Sequence, residues 1–151
     1  MHLGRRLWTS RLPRWTLVLA WMMLIFWLSA QSSLPRLTNR FGAVQSLAGH
    51  VVEYAVLALL LQRAVVGSHP AAKGPAFGHA ARWAFVIAVA YGITDELHQR
   101  LVPGRHMDPF DLLTDAAAAS AALWIAGVAR GRRAAALPEN EGSSAELSEQ
   151  A

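Results

Sequence analysis

The sequence predicts an all-α integral membrane bundle of four transmembrane helices, and three observations predict it. Hydrophobic residues make up 54% of the 151-residue chain, against roughly 45–50% in soluble domains. Charged residues make up only 16%, where a water-facing surface needs about 25%. The apolar residues also fall into four runs, each close to the ~20 residues that cross a hydrocarbon core of about 30 Å. The length fits a single domain. The chain has no cysteine, which excludes a disulfide framework and a thiolate metal site. Its arginines are scattered between apolar runs and form no stripe, so nucleic acid is not an expected partner.

The first run extends from Trp15 to about Gln31, with no charge between Arg14 and Arg36. A cleaved signal peptide is the competing reading, with Arg5, Arg6, Arg11 and Arg14 as its basic region. Bulky Leu28 sits badly at the cleavage position, and Trp15, Trp21 and Trp27 suit a retained span. The second span runs from about Leu47 to Val66, with Ser46 as its expected N-cap. The third runs from about Trp83 to Val102, where Pro103-Gly104 stops it. The fourth runs from about Phe110 to Ala129, and its Ala116–Ala122 stretch allows close helix approach.

Flanking charge sets the expected orientation. Arg5, Arg6, Arg11, Arg14, Arg63, Lys73, Arg82, Arg130, Arg132 and Arg133 fall on one side; Arg36, Arg40, Arg100 and Arg105 fall on the other. Both termini are therefore expected in the cytoplasm of a bacterial cell, and the other two loops outside. The domain plan is a basic N-terminus over 1–14, a membrane domain over 15–129 and a cytoplasmic tail over 130–151. From Leu137 the tail is acidic and Ser-rich, a composition that favours disorder.

The acids carry the functional signal. None precedes Glu53, and four lie in the tail; the other six, Glu53, Asp95, Glu96, Asp108, Asp111 and Asp115, lie in or beside the spans. An acid at a span centre costs about 2.5–3.5 kcal/mol even on lenient scales, so it has a job or a partner. The topology puts these acids at one level, roughly 9 Å from the outer helix ends at ~1.5 Å per residue, with Gln31, Ser32 and Ser33 closing the first span on the same side. His50, Glu53 and Tyr54 share a helix face, as do Asp95, His98 and Gln99, while Asp108, Asp111 and Asp115 form an acidic stripe. Plainer roles stand beside these. Asp108 before Pro109 suits an N-cap, Asp111 suits the first turn, and His50 suits an interhelical hydrogen bond. Tyr54 and Tyr91 suit packing, His98 an accessory place near the interface, and Arg100 a snorkelling position.

Together, Gln31-Ser32-Ser33, His50-x-x-Glu53-Tyr54, Asp95-Glu96-x-His98-Gln99, Pro103-Gly104-Arg105 and Asp111-x-x-x-Asp115 resemble the VanZ-like family. These are bacterial membrane proteins named for a member associated with resistance to the glycopeptide teicoplanin. The resemblance covers about Trp15 to Val128 and implies a membrane fold and a cell-envelope context rather than a reaction. The sequence departs from the family pattern at Asp115, where an Asn is common, and at Ala118-Ala119, where a glycine is usual.

The leading functional expectation is binding or modification of an envelope lipid or lipid-linked precursor at the outer leaflet, with the bilayer as the standing partner. Glu53, Asp95, Glu96 and Asp115 are the candidate catalytic cluster. His50, Tyr54, His98, Gln99, Arg105 and Asp111 are the candidate substrate-binding residues. Glu96 or Glu53 would serve as general base, Arg105 would pair with the acidic stripe or an anionic ligand, and a divalent cation held through oxygen ligands is the cofactor such a cluster would take. A structural or partner-binding role and a small transporter or proton relay are the alternatives. No Ser–His–Asp spacing on known templates and no phosphate-binding glycine loop decides whether the protein is an enzyme.

Overall fold

The computed structural model describes residues 11–31, 42–67, 75–103 and 107–136. Among them are four α-helices and no strand: α1 (Arg11–Ser29), α2 (Gly42–Val66), α3 (Pro75–Gln99) and α4 (Pro109–Ala135). Each of the four apolar runs therefore folds as one helix. By length and composition, Leu47–Val66 of α2 and the whole of α4 are apolar enough to cross a membrane, and Pro13–Ser29 is a shorter apolar helix.

Local chemistry explains the ends. Gly67 follows α2 with φ +69, a left-handed conformation that glycine adopts without steric cost and that ends a helix. At the end of α3 the Leu101 and Val102 amides donate to the His98 and Gln99 carbonyls at 2.9 and 3.0 Å, tightening the last turn before Pro103. Asp108 caps α4, its side chain accepting from the Phe110 amide at 2.9 Å, and Pro109 takes the first helical position. The expected cap role of Asp108 is thus realised. Ser46, expected to cap α2, instead lies inside it, because the helix starts at Gly42. Likewise α3 starts at Pro75 rather than near Trp83, and α4 continues through Arg130, Arg132 and Arg133.

The α3 and α4 helices run antiparallel, Phe77 meeting Arg130 at one end and Glu96 meeting Asp108 at the other, whereas α1 and α3 run the same way, Met22 meeting Tyr91 and Ser29 meeting Asp95. Trp21 Nε1 of α1 donates to the Glu53 carbonyl of α2 at 2.9 Å, and Tyr91 Oη of α3 donates to the Met22 carbonyl of α1 at 2.5 Å. The central pair α2 and α3 packs against both outer helices, while α1 and α4 lie on opposite sides of that pair. The α1 helix is built into the core, since Val18 and Ile25 are fully buried. They join Leu57, Ala58, Leu61, Ala64, Ala84, Ala88, Ala119 and Leu123 in one cluster. The alanines keep the helix axes close, which favours van der Waals packing where lipid tails supply no hydrophobic drive. Ala118 and Ala119 are both buried.

Outward faces are apolar. Leu19, Met23 and Trp27 of α1, Val52 of α2, Trp83, Val86 and Leu97 of α3, and Phe110, Leu113, Trp124 and Ile125 of α4 are exposed. Buried positions include His50, Asp95, Glu96, Gln99 and Asp115. This arrangement inverts the pattern of a water-soluble helical bundle.

Candidate functional site

Most of the buried polar residues, Ser29, His50, Asp95, Glu96, Gln99 and Asp115, gather where α1 and α3 end and where α2 and α4 begin. They form two linked groups. In the first, Asp95 of α3 accepts from Ser29 Oγ of α1 at 2.5 Å and from Gln99 Nε2 one turn on at 2.9 Å. Both carboxylate oxygens are thereby engaged, at 4% exposure. In the second, His50 Nδ1 of α2 lies 3.0 Å from Asp115 Oδ1 of α4, and the imidazole donates there with its proton on Nδ1. Its Nε2 faces Asp111 Oδ2 at 3.7 Å, beyond hydrogen-bond length, and Asp111 is part-exposed. His50 therefore lies between two carboxylates spaced one turn apart on α4.

Glu96 joins α3 to the start of α4. Its Oε2 accepts from the Asp108 amide at 2.9 Å, so Asp108 caps α4 with its side chain and anchors it with its backbone. Its Oε1 is buried and has no hydrogen-bond partner among the described residues. Tyr54 lies between the two groups at 1% exposure. Its ring stacks parallel to His50 at 6.4 Å, and it interacts electrostatically with both Asp95 and Asp115. Its hydroxyl also lacks a partner among the described residues. Gly92 makes room for it: a Cβ there would meet Tyr54 Cε1 at 3.3 Å and Leu112 Cδ1 at 3.2 Å.

The remaining candidates sit at the margin. Glu53 is half-buried, and its Oε1 turns back along α2 toward Gly49. His98 does not pair with Asp95; its ring stacks on Phe26 of α1 with centroids 4.2 Å apart, and Gln99 takes the carboxylate instead. Gln31 donates to the Trp27 carbonyl of its own helix at 3.2 Å. Arg105, Ser32 and Ser33 lie outside the described residues.

Sequence reasoning missed Ser29, the α1 partner of Asp95. The signal was a small polar side chain closing an apolar run, four residues from Ile25 and hence on the buried face. It also missed that Arg14 and Gln62, at the opposite end of the bundle, are buried to 9% and 5% exposure. Two tempting chemistries are not assembled. Ser29 is bound to Asp95 while His50 is bound to Asp115, so no Ser–His–Asp relay forms. Among the described residues no group of three or more His, Asp or Glu side chains is arranged to hold a metal ion. Asp95 and Asp115 turn to Ser29 and His50 of neighbouring helices instead.

Apolar outward faces, two helices apolar enough to span and a buried polar site at one end define a helical membrane protein. The family model described as VanZ/LLP1 matches residues 14–130, and the chain belongs to that family. No curated protein and no solved structure matches it.

Proposed function

We propose that the protein is a four-span membrane bundle of the bacterial cell envelope that binds the polar head of a lipid or lipid-linked precursor at the outer leaflet. The observation that carries this reading is Glu96, 3% exposed with one oxygen unpartnered among the described residues; the Tyr54 hydroxyl, also buried, is likewise unpartnered among them. Buried polar atoms of this kind cost about 1–3 kcal/mol each when unsatisfied. A head group entering from the membrane surface would satisfy them.

The outward apolar faces of α1 and α3 as well as α2 and α4 support the reading of four spans. The basic residues Arg63, Arg82, Arg130, Arg132 and Arg133 at the far end favour cytoplasmic termini. Glu96 and Glu53 are the candidate general bases if the bound molecule is also modified. Any influence on glycopeptide susceptibility would act through binding of a lipid-linked precursor.

A structural role is the second reading, favoured by Ser29–Asp95 and His50–Asp115, which tie helices together. Transport is third. Between the Tyr54 level and the Gln62 level lie Leu57, Ala58, Leu61, Ala84, Ala88 and Ala119. This apolar layer is about 12 Å deep at ~1.5 Å per residue.

The test is lipid co-purification with Glu96→Gln and Asp115→Asn variants, alongside thermal unfolding. Loss of bound lipid with unfolding unchanged supports head-group binding. Lowered stability with lipid retained favours the structural role.

A further inference from the structure

At the end opposite the polar site, two helices run on past the apolar spans. Near the start of α3, Phe77 meets α4 twice. The Arg130 guanidinium lies over its ring at 5.0 Å, and a Cβ at Gly127 would touch its Cε1 at 3.9 Å. Trp83 and Trp124 each lie six residues inward of the Phe77–Arg130 contact on antiparallel helices, so they stand at one level. Both face outward, at 59% and 70% exposure. In a membrane protein such tryptophans sit at head-group level, and this pair marks the edge of the hydrocarbon core.

Beyond that mark α3 contributes residues 75–82, about 12 Å of helix, and α4 contributes 125–135, about 16 Å. The overhang holds His79, Arg82, Arg130, Arg132 and Arg133 and no acid, and Arg82, Arg132 and Arg133 are exposed. Neighbouring sequence cannot reverse its sign. Residues 1–10 and 68–74 contain no acid, and the four glutamates of 137–151 stand against ten arginines and lysines at this end. The helix dipole accounts for the two arginines in the last turn of α4, but not for Arg82, two turns into α3.

Resting on the four-span reading, we propose that this overhang is a docking surface for the anionic phosphates of the leaflet on its own side. The head-group layer is about 5–8 Å deep on each side of a bilayer, so both helices pass through it. Their contact at Phe77 holds the arginines on one frame rather than on separate loops. Guanidinium forks match phosphate oxygens, and long arginine stems reach back toward them.

The experiment places full chains keeping one tryptophan, Trp124 or Trp27, in phosphatidylcholine bilayers, with native helix content checked first. Quenching by brominated phosphatidylglycerol is compared with quenching by brominated phosphatidylcholine. At Trp124 the anionic lipid should associate about fivefold more strongly, the scale of one arginine near an anionic surface. At Trp27, toward the other end, the two should be equal. The Arg82→Gln/Arg132→Gln/Arg133→Gln variant should lose the preference while brominated phosphatidylcholine still quenches Trp124.

Equal association at Trp124 overturns the inference and leaves the four spans standing. So does a preference that is the same at Trp27, or one that survives in the triple variant. No quenching of Trp124 by either lipid overturns the four-span reading as well. Equal lipid association, with added polyglutamate bound by the parent chain and not by the triple variant, overturns the lipid assignment in favour of a soluble acidic partner.

Discussion

His50 and Asp115 meet across the α2–α4 interface at 3.0 Å, with side chains 8% and 1% exposed. The pair sets the register between two helices and fixes the orientation of the imidazole whose other nitrogen faces Asp111.

Removing one partner of such a buried pair costs about 3–5 kcal/mol, because the other is left uncompensated. Asp115→Ala should therefore lower stability strongly in detergent unfolding. Asp115→Asn, which keeps an acceptor, should cost far less. The His50→Ala/Asp115→Ala double variant should be little worse than Asp115→Ala alone, and strict additivity would show the pair to be uncoupled.

Gly92 should not tolerate a branched side chain. Even a methyl group would sit 3.3 Å from Tyr54 Cε1, and Tyr54, fully buried, has nowhere to move. Overpacking of this kind costs about 1–3 kcal/mol, outweighing the ~1 kcal/mol that replacing a helical glycine can return. Gly92→Ala should be mildly destabilising and Gly92→Val severely so, in thermal unfolding of the purified protein.

The bonds that tether the α1 helix include Trp21 to the Glu53 carbonyl, Tyr91 to the Met22 carbonyl, and Ser29 to Asp95. Interhelical hydrogen bonds in membranes average about 0.6 kcal/mol and reach about 1.7. Ser29→Ala should fall in that range and raise amide exchange in α1 more than in α4. Uniform exchange in all four helices would contradict the tether.

If the outward faces meet lipid, the exposed Trp27, Trp83 and Trp124 should be quenched by brominated acyl chains. Trp21, part-buried with its ring nitrogen bound to Glu53, should be shielded. Single-tryptophan variants in brominated bilayers would read this directly, and quenching of Trp21 alone would invert the packing.

Orientation has its own test. The chain has no cysteine, and Met107 is exposed just ahead of Asp108. Met107→Cys should react with a membrane-impermeant thiol reagent on intact cells. Reaction only after the cells are opened would turn the polar end to the cytoplasm.

Much of this was legible in the sequence, for a physical reason. Acids in apolar runs are costly, so Asp95, Glu96 and Asp115 announced themselves, and antiparallel spans could only bring them to one end. Helix ends were less legible, because hydropathy reads the apolar stretch and not the helix. The segment from Pro75 to Arg82 is mixed in character yet helical, and so is the stretch beyond Ala129. Pairing was least legible. His98 could have bonded Asp95 by spacing, but Gln99 does so, and which of the two turns inward depends on Phe26 and Ser29 from a helix some seventy residues earlier. Arg14 was read as a topogenic charge, and nothing in its flanks signalled burial.

In the four-span reading, the order in which the chain leaves the ribosome gives the His50–Asp115 pair a part in biogenesis. When α3 is threaded into the bilayer, Asp95 finds Ser29 already waiting on α1. His50 has no such welcome, for its counter-charge travels on α4, which is made after α3. A chain halted after α3 would hold an imidazole with neither Asp115 nor Asp111 to meet it, and the Glu96 carboxylate without the Asp108 amide. Arrival of α4 is thus recorded in the electrostatics of α2 and α3, a mark by which membrane quality control could tell a chain with α4 in place from one interrupted before it.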